Sequence, residues 1–177
     1  MRLLDLPGMI RYPPPRRAHA EPDQGWWPHF ESHRALEMPP QAFSWTCSIC
    51  ASTWVLAATG VSDQAREQTA GEIGYPSCVN SSVGLADTRC LLDMFAQHGL
   101  VAHQEWVDWA RAWQICSDTT GVLNSTSWYH FVAIRGTRNG SLWVANSAPG
   151  YRNIWDEITP GQFQAWAGSW QAVWLDR

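Results

Sequence analysis

The sequence lacks the long apolar runs and the basic clusters that are typical of membrane spans and nucleic-acid surfaces. In 177 residues no segment approaches the roughly 18 consecutive apolar residues of a membrane helix. The formal net charge is −4, and all 12 fixed positive charges are arginine because lysine is absent, a bias typical of a GC-rich coding genome such as that of an actinobacterium or its phage. The first ten residues also lack the basic start, apolar middle and small-residue cleavage site of a secretory signal. We expect no membrane span, no nucleic-acid partner and a cytoplasmic or virion-associated location.

Five cysteines are present, and their spacing gives little sign of a disulfide framework or a metal site. Because the count is odd, at least one cysteine is unpaired within the chain. Structural zinc at Cys47-x-x-Cys50 would need a second such pair or a His-x₃-His, which the sequence lacks. Cys78, Cys90 and Cys116 stand isolated. We therefore expect no metal and no cofactor, and a reduced environment that suits a thiol nucleophile.

The chain divides by composition into an N-terminal arm and one domain. At 177 residues it is long enough for one core and too short for two typical domains. Residues 1–38 are rich in proline, contain Trp26-Trp27-Pro28 and show few signs of periodic structure. We expect this arm to be a linker, a strap across the domain, or a segment that docks on a partner protein or another copy. Residues 39–177 are then the domain.

Cys47 opens an apolar run that is typical of a buried helix, with Gln41 six positions upstream. Thr46 is a suitable N-cap for that helix. A thiol in the first turn of a helix faces unsatisfied backbone N–H groups and the positive end of the helix dipole. Both favour an anion, so we expect the pKa of the Cys47 thiol to be lowered.

Two predicted strands carry His130 and Asn146 near the same end of a hairpin. Residues 128–136 and 141–146 have the pattern of strands, and the Asn-Gly pair at 139–140 is the signal of a tight turn. Antiparallel pairing around this turn brings the start of one strand close to the end of the other. We therefore expect His130 and Asn146 to lie close together.

Gln41, Cys47, His130 and Asn146 together have the chemistry of a cysteine nucleophile site. The histidine would take or share the proton of Cys47, and Asn146 would hold the imidazole in the right tautomer and orientation. Gln41 would donate a side-chain N–H, beside the backbone N–H of Cys47, to the oxyanion that forms when a thiolate attacks a carbonyl. Singly, a buried cysteine, a strand histidine and a turn asparagine are commonplace. Their joint occurrence in this order favours the catalytic interpretation.

The pattern resembles papain-like cysteine peptidases, and more closely their compact bacterial branch that processes double-glycine leader peptides. The resemblance rests on residues 41–47 with the following helix, on the strand that begins at His130, and on residues 144–150. These segments span roughly residues 39–175, which is most of the chain. Leader peptidases usually have Gly after the nucleophile and Asp as third triad member, where this chain has Ser48 and the papain-like Asn146.

This resemblance implies an α+β fold in which an N-terminal helical part, carrying the nucleophile helix, packs against a C-terminal antiparallel sheet. It implies hydrolysis of a peptide or isopeptide bond in a peptide or protein substrate, through a Cys-His-Asn triad and a thioester. The substrate cleft would lie between the nucleophile helix and the sheet, with Trp45, Ser48 and Trp128 beside it. Periodicity places the remaining elements as helices at 62–69, 84–97, 106–115 and 159–166, and strands at 121–124 and 171–175.

Three alternatives remain open at this point. Cys50 lies one helical turn after Cys47 and could be the nucleophile, which would put Ser44 at the oxyanion position. A transferase of the transglutaminase or acyl-transfer type could use the same triad. The chain could also be a catalytically idle papain-like domain that serves as a structural or binding subunit, for example in a phage or virion. The substrate could be a Gly-rich processing site, a peptidoglycan stem peptide or a ubiquitin-like tail.

Overall fold

The computed structural model of the chain describes residues 30, 33–34, 36–38, 40–41, 43–62, 78–81, 84–127, 129–148 and 156–177. Helices and strands are interspersed along the described part of the chain. The helices are α1 (Cys47–Ala58), α2 (Arg89–Gln97), α3 (Trp109–Asp118) and α4 (Pro160–Ala165). The strands are β1 (Val79–Asn80), β2 (Gly84–Leu85), β3 (Ala102–Trp106), β4 (Gly121–Ser125), β5 (His130–Arg138), β6 (Ser141–Ala145), β7 (Glu157–Ile158) and β8 (Trp170–Leu175).

A six-stranded antiparallel sheet organises the fold, with strand order β3-β8-β4-β5-β6-β7. Side chains alternate between its two faces, so Val122 joins one hydrophobic core and Leu123 joins the other. The first core contains α1 and α2, and the second contains α3 and α4. The predicted α+β fold, with the helix that begins at Cys47 packed on an antiparallel sheet, is confirmed. Among the described residues, no helix is both long enough and apolar enough to cross a membrane.

Helix α1 is the innermost element, because all twelve of its residues are buried. It begins at Cys47, as predicted, and packs chiefly against β5. Thr46 occupies the N-cap position, but its hydroxyl donates to the carbonyl of Phe43 (2.8 Å) and accepts no hydrogen bond from the helix. The N–H groups of the first turn are therefore not capped by this side chain.

The β5–β6 hairpin forms as the Asn-Gly signal predicts. Asn139 and Gly140 both have positive φ, at 53° and 77°, which is the geometry of a type I′ turn. A bulge between Ile134 and Gly136 shifts the register of the pair by one residue. Beyond the bulge Ala145, the last residue of β6, pairs with Ala133, three residues after the start of β5 at His130. The start of β5 and the end of β6 therefore lie at the same end of the hairpin.

The last part of the predicted N-terminal arm packs on the domain itself. Phe30 is fully buried in the first core, and the carbonyl of Leu36 accepts a hydrogen bond from the indole of Trp54 (2.8 Å). Arg34 lies over the ring of Phe30 and donates to the carbonyl of Arg135 (2.7 Å). Packing therefore extends upstream of residue 39. The boundary at 38/39 stays a prediction, and residues 1–29 lie outside the described part of the chain.

Two predicted helices begin later than their sequence patterns suggest. The pattern at 84–97 includes Gly84, which has a φ of +71° and pairs in strand β2, so the helix starts only at Arg89. The pattern at 106–115 includes Trp106, which ends β3; the helix starts after Asp108, whose carboxylate accepts from the N–H of Arg111 (2.8 Å). Residues 63–69 of the helix predicted at 62–69 lie outside the described part of the chain.

Candidate active site

A cleft of about 640 Å³ lies between the start of α1, the segment that includes β1 and β2, and the sheet face that carries the first core. Cys47 is one of its lining residues. The others are Ser44, Trp45, Ser81, Gly84, Leu85, Ala86, Asp87, Thr88, Trp106, Asn124, Thr126, Tyr129, Phe131 and Gln171.

Cys47 is the first residue of α1 and only 5% of its surface is exposed. Burial raises the pKa of its thiol above the ordinary value, because the charged thiolate loses its hydration. Backbone N–H groups of Phe131, Ser48 and Cys47 itself oppose this rise without cancelling it. The expected position at a helix N-terminus is confirmed, but the expected lowering of the pKa is wrong, since desolvation outweighs the N–H groups.

His130 and Asn146 are joined by a 2.8 Å hydrogen bond between Nε2 and Oδ1. The Asn146 Oδ1 also accepts the backbone N–H of Ala148 (3.0 Å), which identifies this atom as the amide oxygen. An oxygen acceptor requires a proton on the histidine Nε2, so the neutral ring carries its lone pair on Nδ1. Burial lowers the pKa of His130 below its ordinary value, and the bond to Asn146 partly offsets that effect. The predicted proximity of the two residues is confirmed.

Gln41 is clamped to the residue that follows Asn146. Its backbone N–H donates to the carbonyl of Ser147 (2.7 Å), and the Ser147 hydroxyl donates to its side-chain oxygen (2.9 Å). This fixes the side-chain amide, whose Nε2 donates to the carbonyl of Phe43 (2.7 Å). The clamp ties the loop before α1 to the loop after β6, and so brings Gln41 and Asn146 to the same end of the hairpin.

The other residues predicted at the site have different positions. Trp45 lines the cleft and stacks on Phe43, with ring centroids 5.7 Å apart. Ser48 is fully buried on α1 and, unlike its neighbour Cys47, is not among the cleft-lining residues. Cys50 is 1% exposed, one turn further into the helix. Trp128 lies outside the described residues.

A disulfide between Cys78 and Cys90 closes one wall of the cleft, although the sequence suggested that both cysteines are isolated. The β1–β2 pairing folds the chain back so that the start of β1 meets the first turn of α2, with the two Cα atoms 6.3 Å apart. Six cleft-lining residues, from Ser81 to Thr88, fall between the two cysteines. Sequence spacing misses this pair because the contact depends on the hairpin and not on a short motif.

Replacing Cys78 and Cys90 together by serine is expected to lower the free energy of unfolding by about 2–4 kcal/mol, because the cross-link restricts the unfolded chain. Urea titration under non-reducing conditions measures the change. A reducing agent should destabilise the wild type and leave the double variant unaffected. Alkylation of denatured, unreduced protein should modify three cysteines; modification of all five would contradict the pairing.

Gly84→Ala is expected to destabilise the cleft wall more than Gly99→Ala. Both glycines have similar positive φ, +71° and +77°, so both substitutions carry the same backbone strain of about 1–2 kcal/mol. A Cβ at Gly84 would lie 2.9 Å from the carbonyl oxygen of Trp45, whereas a Cβ at Gly99 meets nothing within 4 Å. The extra loss at Gly84 should be about 1–3 kcal/mol in urea unfolding. Equal losses would show that the contact with Trp45 is unimportant.

Comparison with known proteins identifies the fold. No protein-family model matches the chain, and no curated protein matches its sequence. Similar solved structures include a double glycine motif protease from an AMS/PCAT transporter, in complex with the leader peptide, at a TM-score of 0.58 and 16% identity over 78% of this chain and 89% of that one. They also include the peptidase domain of Streptococcus ComA, a bifunctional ABC transporter involved in quorum sensing. For that domain the TM-score is 0.53 and the sequence identity 16%, over 78% of this chain and 96% of that one. The chain therefore has the papain-like fold of these peptidase domains, and the resemblance predicted from its sequence is confirmed at the level of the fold.

Proposed function

We propose that this protein is a cysteine peptidase that hydrolyses a peptide bond with Cys47 as nucleophile, His130 as acid and base, Asn146 as the residue that orients the imidazole, and Gln41 as oxyanion donor. The observation that carries the proposal is the 2.8 Å bond from His130 Nε2 to Asn146 Oδ1. Because this bond leaves Nδ1 as the basic nitrogen, the ring is in the tautomer that can accept a thiol proton. The start of β5 lies close to the thiol, since α1 packs on β5 and Phe131 lines the same cleft as Cys47.

The mechanism starts from an uncharged thiol and imidazole, because burial raises the pKa of Cys47 and lowers that of His130. His130 Nδ1 takes the thiol proton as the sulfur attacks the substrate carbonyl. The oxyanion accepts N–H groups from Cys47 and from Gln41, whose Nε2 carries a second hydrogen besides the one given to Phe43. The imidazolium then protonates the leaving amine. Water, activated by His130, hydrolyses the resulting thioester and restores the thiol.

The substrate we propose is an extended, uncharged peptide segment such as a Gly-rich processing site. Among the described lining residues there is one acidic side chain, Asp87, which is paired with Arg89 at the rim, and no basic one. Such a cleft has little to offer a charged segment. The similar peptidase of the AMS/PCAT transporter was solved with a leader peptide, which supports a peptide as substrate.

The test is the rate of iodoacetamide alkylation against pH, with peptide mapping to identify the modified cysteine. The proposal is supported if Cys47 is modified faster than Cys50 and Cys116, and if this advantage disappears in the His130→Ala variant. Cleavage of a peptide such as acetyl-Ala-Ala-Gly-Gly-Ala-Ala amide, followed by mass spectrometry, then tests turnover directly. Alkylation of Cys47 no faster than that of the other two thiols would contradict it.

Gln41→Ala is expected to lower turnover by about 10²–10³, as removal of one oxyanion donor does in other hydrolases. The effect should appear in kcat, because the donor acts on the charge that develops in the transition state. Gln97→Ala is the matched control, since Gln97 is exposed on α2 and does not line the cleft. A loss below tenfold for Gln41→Ala would count against its role.

A catalytically idle binding domain is the second candidate function, and one observation favours it. The Cys47 thiol is 5% exposed and its pKa is raised, as is typical of a structural cysteine. In that case alkylation of Cys47 would be slow and unaffected by His130→Ala, while peptide binding in the cleft would persist.

A further inference from the structure

Four cleft-lining residues form one straight row across four neighbouring strands. Trp106 on β3 is opposite Gln171 on β8, Gln171 is opposite Asn124 on β4, and Asn124 is opposite Phe131 on β5. Residues that face each other in antiparallel pairs project from the same side of a sheet. All four line the cleft. With strands about 4.8 Å apart, the row is about 14 Å long, which is the length of roughly four extended residues.

One end of this row lies at the nucleophile and the other at the edge of the sheet. Phe131 and Cys47 both line the cleft, and the backbone N–H of Phe131 acts to lower the pKa of the Cys47 thiol. Trp106 lies on the edge strand β3 and is 61% exposed. The two amide side chains, Asn124 and Gln171, lie between them and are each only 8% exposed. The row thus leads from the reacting atom to the open rim of the cleft.

A chain of hydrogen bonds fixes the direction of the Gln171 amide. Gln104 donates its Nε2 to the hydroxyl of Thr88 (2.8 Å), so this hydroxyl gives its own proton to the Gln171 Oε1 (3.0 Å). The oxygen of Gln171 is therefore occupied. Its Nε2, which has no hydrogen-bond partner among the described residues, is the atom left to face the cleft.

Asn124 is an unsatisfied amide at the floor of the cleft. Its side-chain oxygen is buried and has no hydrogen-bond partner among the described residues. Its nitrogen is then the atom that remains on the cleft side. That oxygen needs a donor, which a peptide carbonyl does not supply. Asn124 is implicated instead by its place in the row and by its amide nitrogen, which donates.

From this geometry we infer that Asn124 and Gln171 are specificity-determining residues, which bind the main-chain carbonyls of an extended substrate peptide lying along the row. The inference rests on the proposed peptide substrate, but not on catalysis. The amide N–H groups recognise the backbone and not particular side chains, and so they suit a segment of small, uncharged residues. The carbonyls of a peptide bound here would accept from the amide nitrogens of Asn124 and Gln171.

The test uses one unreactive system, the Cys47→Ala protein with acetyl-Ala-Ala-Gly-Gly-Ala-Ala amide, titrated by NMR of the tryptophan indole signals. Versions of the peptide carry a single thioamide in place of one carbonyl, because sulfur is a poor hydrogen-bond acceptor. We expect a thioamide at one position to weaken binding about threefold to tenfold through the loss of one hydrogen bond. When Gln171→Leu is added, the thioamide at one peptide position should no longer weaken binding. When Asn124→Leu is added instead, the thioamide at a different peptide position should no longer weaken binding.

The matched control is Gln97→Leu, an exposed position on α2, which should leave the thioamide pattern unchanged. Asn124→Asp and Gln171→Glu keep the side-chain shape but replace N–H by oxygen, so each should lose the same sensitivity as the leucine variant. An identical thioamide pattern in every variant, or no binding at millimolar peptide, overturns the inference. Cleavage of the same peptide by the wild type reports on the proposed function separately, so the two failures are distinguishable.

Discussion

Replacing Cys47 by alanine is expected to abolish peptide cleavage, with a loss of at least about 10⁴-fold, while Cys50→Ala leaves most of the activity. The reason is position: Cys47 lines the cleft, whereas Cys50 lies one turn further into α1 and its N–H is bound to the carbonyl of Thr46 (3.0 Å). Initial rates on a Gly-rich peptide measure the loss. Mass spectrometry at short times should detect the thioester in the wild type and in Cys50→Ala only.

Cys116→Ala is the control for general damage by removal of a buried thiol, because Cys116 lies in the second core, on the other face of the sheet. It should retain activity and lose some stability. If Cys47→Ala and Cys50→Ala lose activity equally while both remain folded, the assignment of the nucleophile is wrong. An unchanged rate in Cys47→Ala would remove the peptidase proposal altogether.

The elements whose signals are local were predictable from the sequence. An Asn-Gly turn requires two residues with positive φ, and the strands on either side then fix which residues meet, so His130 and Asn146 could be paired without a structure. The apolar run after Cys47 likewise predicted α1 to its first residue. Chain order and hairpin geometry were sufficient to bring these parts of the site together.

The properties that depend on long-range packing were not predictable. The pKa of Cys47 was expected to fall because the helix N-terminus is visible in the sequence, whereas the burial that raises it arises only when the chain packs around the thiol. The pairing of Cys78 with Cys90 depends on the β1–β2 fold-back. The row that contains Asn124 and Gln171 arises because β8, the last strand, inserts between β3 and β4. None of these contacts leaves a periodic or short-range signal.

The insertion of β8 also explains how the cleft is held. The hydroxyl of Thr88, just before α2, donates to Gln171 on β8, and the disulfide at Cys90 anchors the first turn of α2 to the start of β1. The segment from Cys78 to Cys90 is therefore closed on itself by a covalent bond and joined to the sheet by the hydrogen bond of Thr88. These two links hold the wall beside the row of cleft-lining residues on the sheet.

His130→Ala is expected to lower turnover by about 10²–10⁴, the usual contribution of a general base. In the wild type kcat/KM should be flat across neutral pH. It should fall only below about 6.5, the ordinary pKa from which burial lowers that of His130, as the imidazole gains a proton. The thiol has a raised pKa, so the rate should not fall on the alkaline side until well above neutral pH. In His130→Ala the residual rate should instead rise about tenfold per pH unit, because only thiolate formed by solvent can react.

The matched control for that variant is His103→Ala, since His103 is exposed and pairs with Asp176 at 2.7 Å on the edge strand β3. It should leave both the rate and the pH profile unchanged. The profile also distinguishes two resting states. A preformed thiolate–imidazolium pair would give rapid iodoacetamide alkylation of Cys47 down to about pH 5, whereas the uncharged pair described above requires the rate to decline as His130 is protonated. Rapid alkylation at pH 5 would therefore show that the buried pair is ionised, and that the N–H groups of Phe131, Ser48 and Cys47 outweigh desolvation after all.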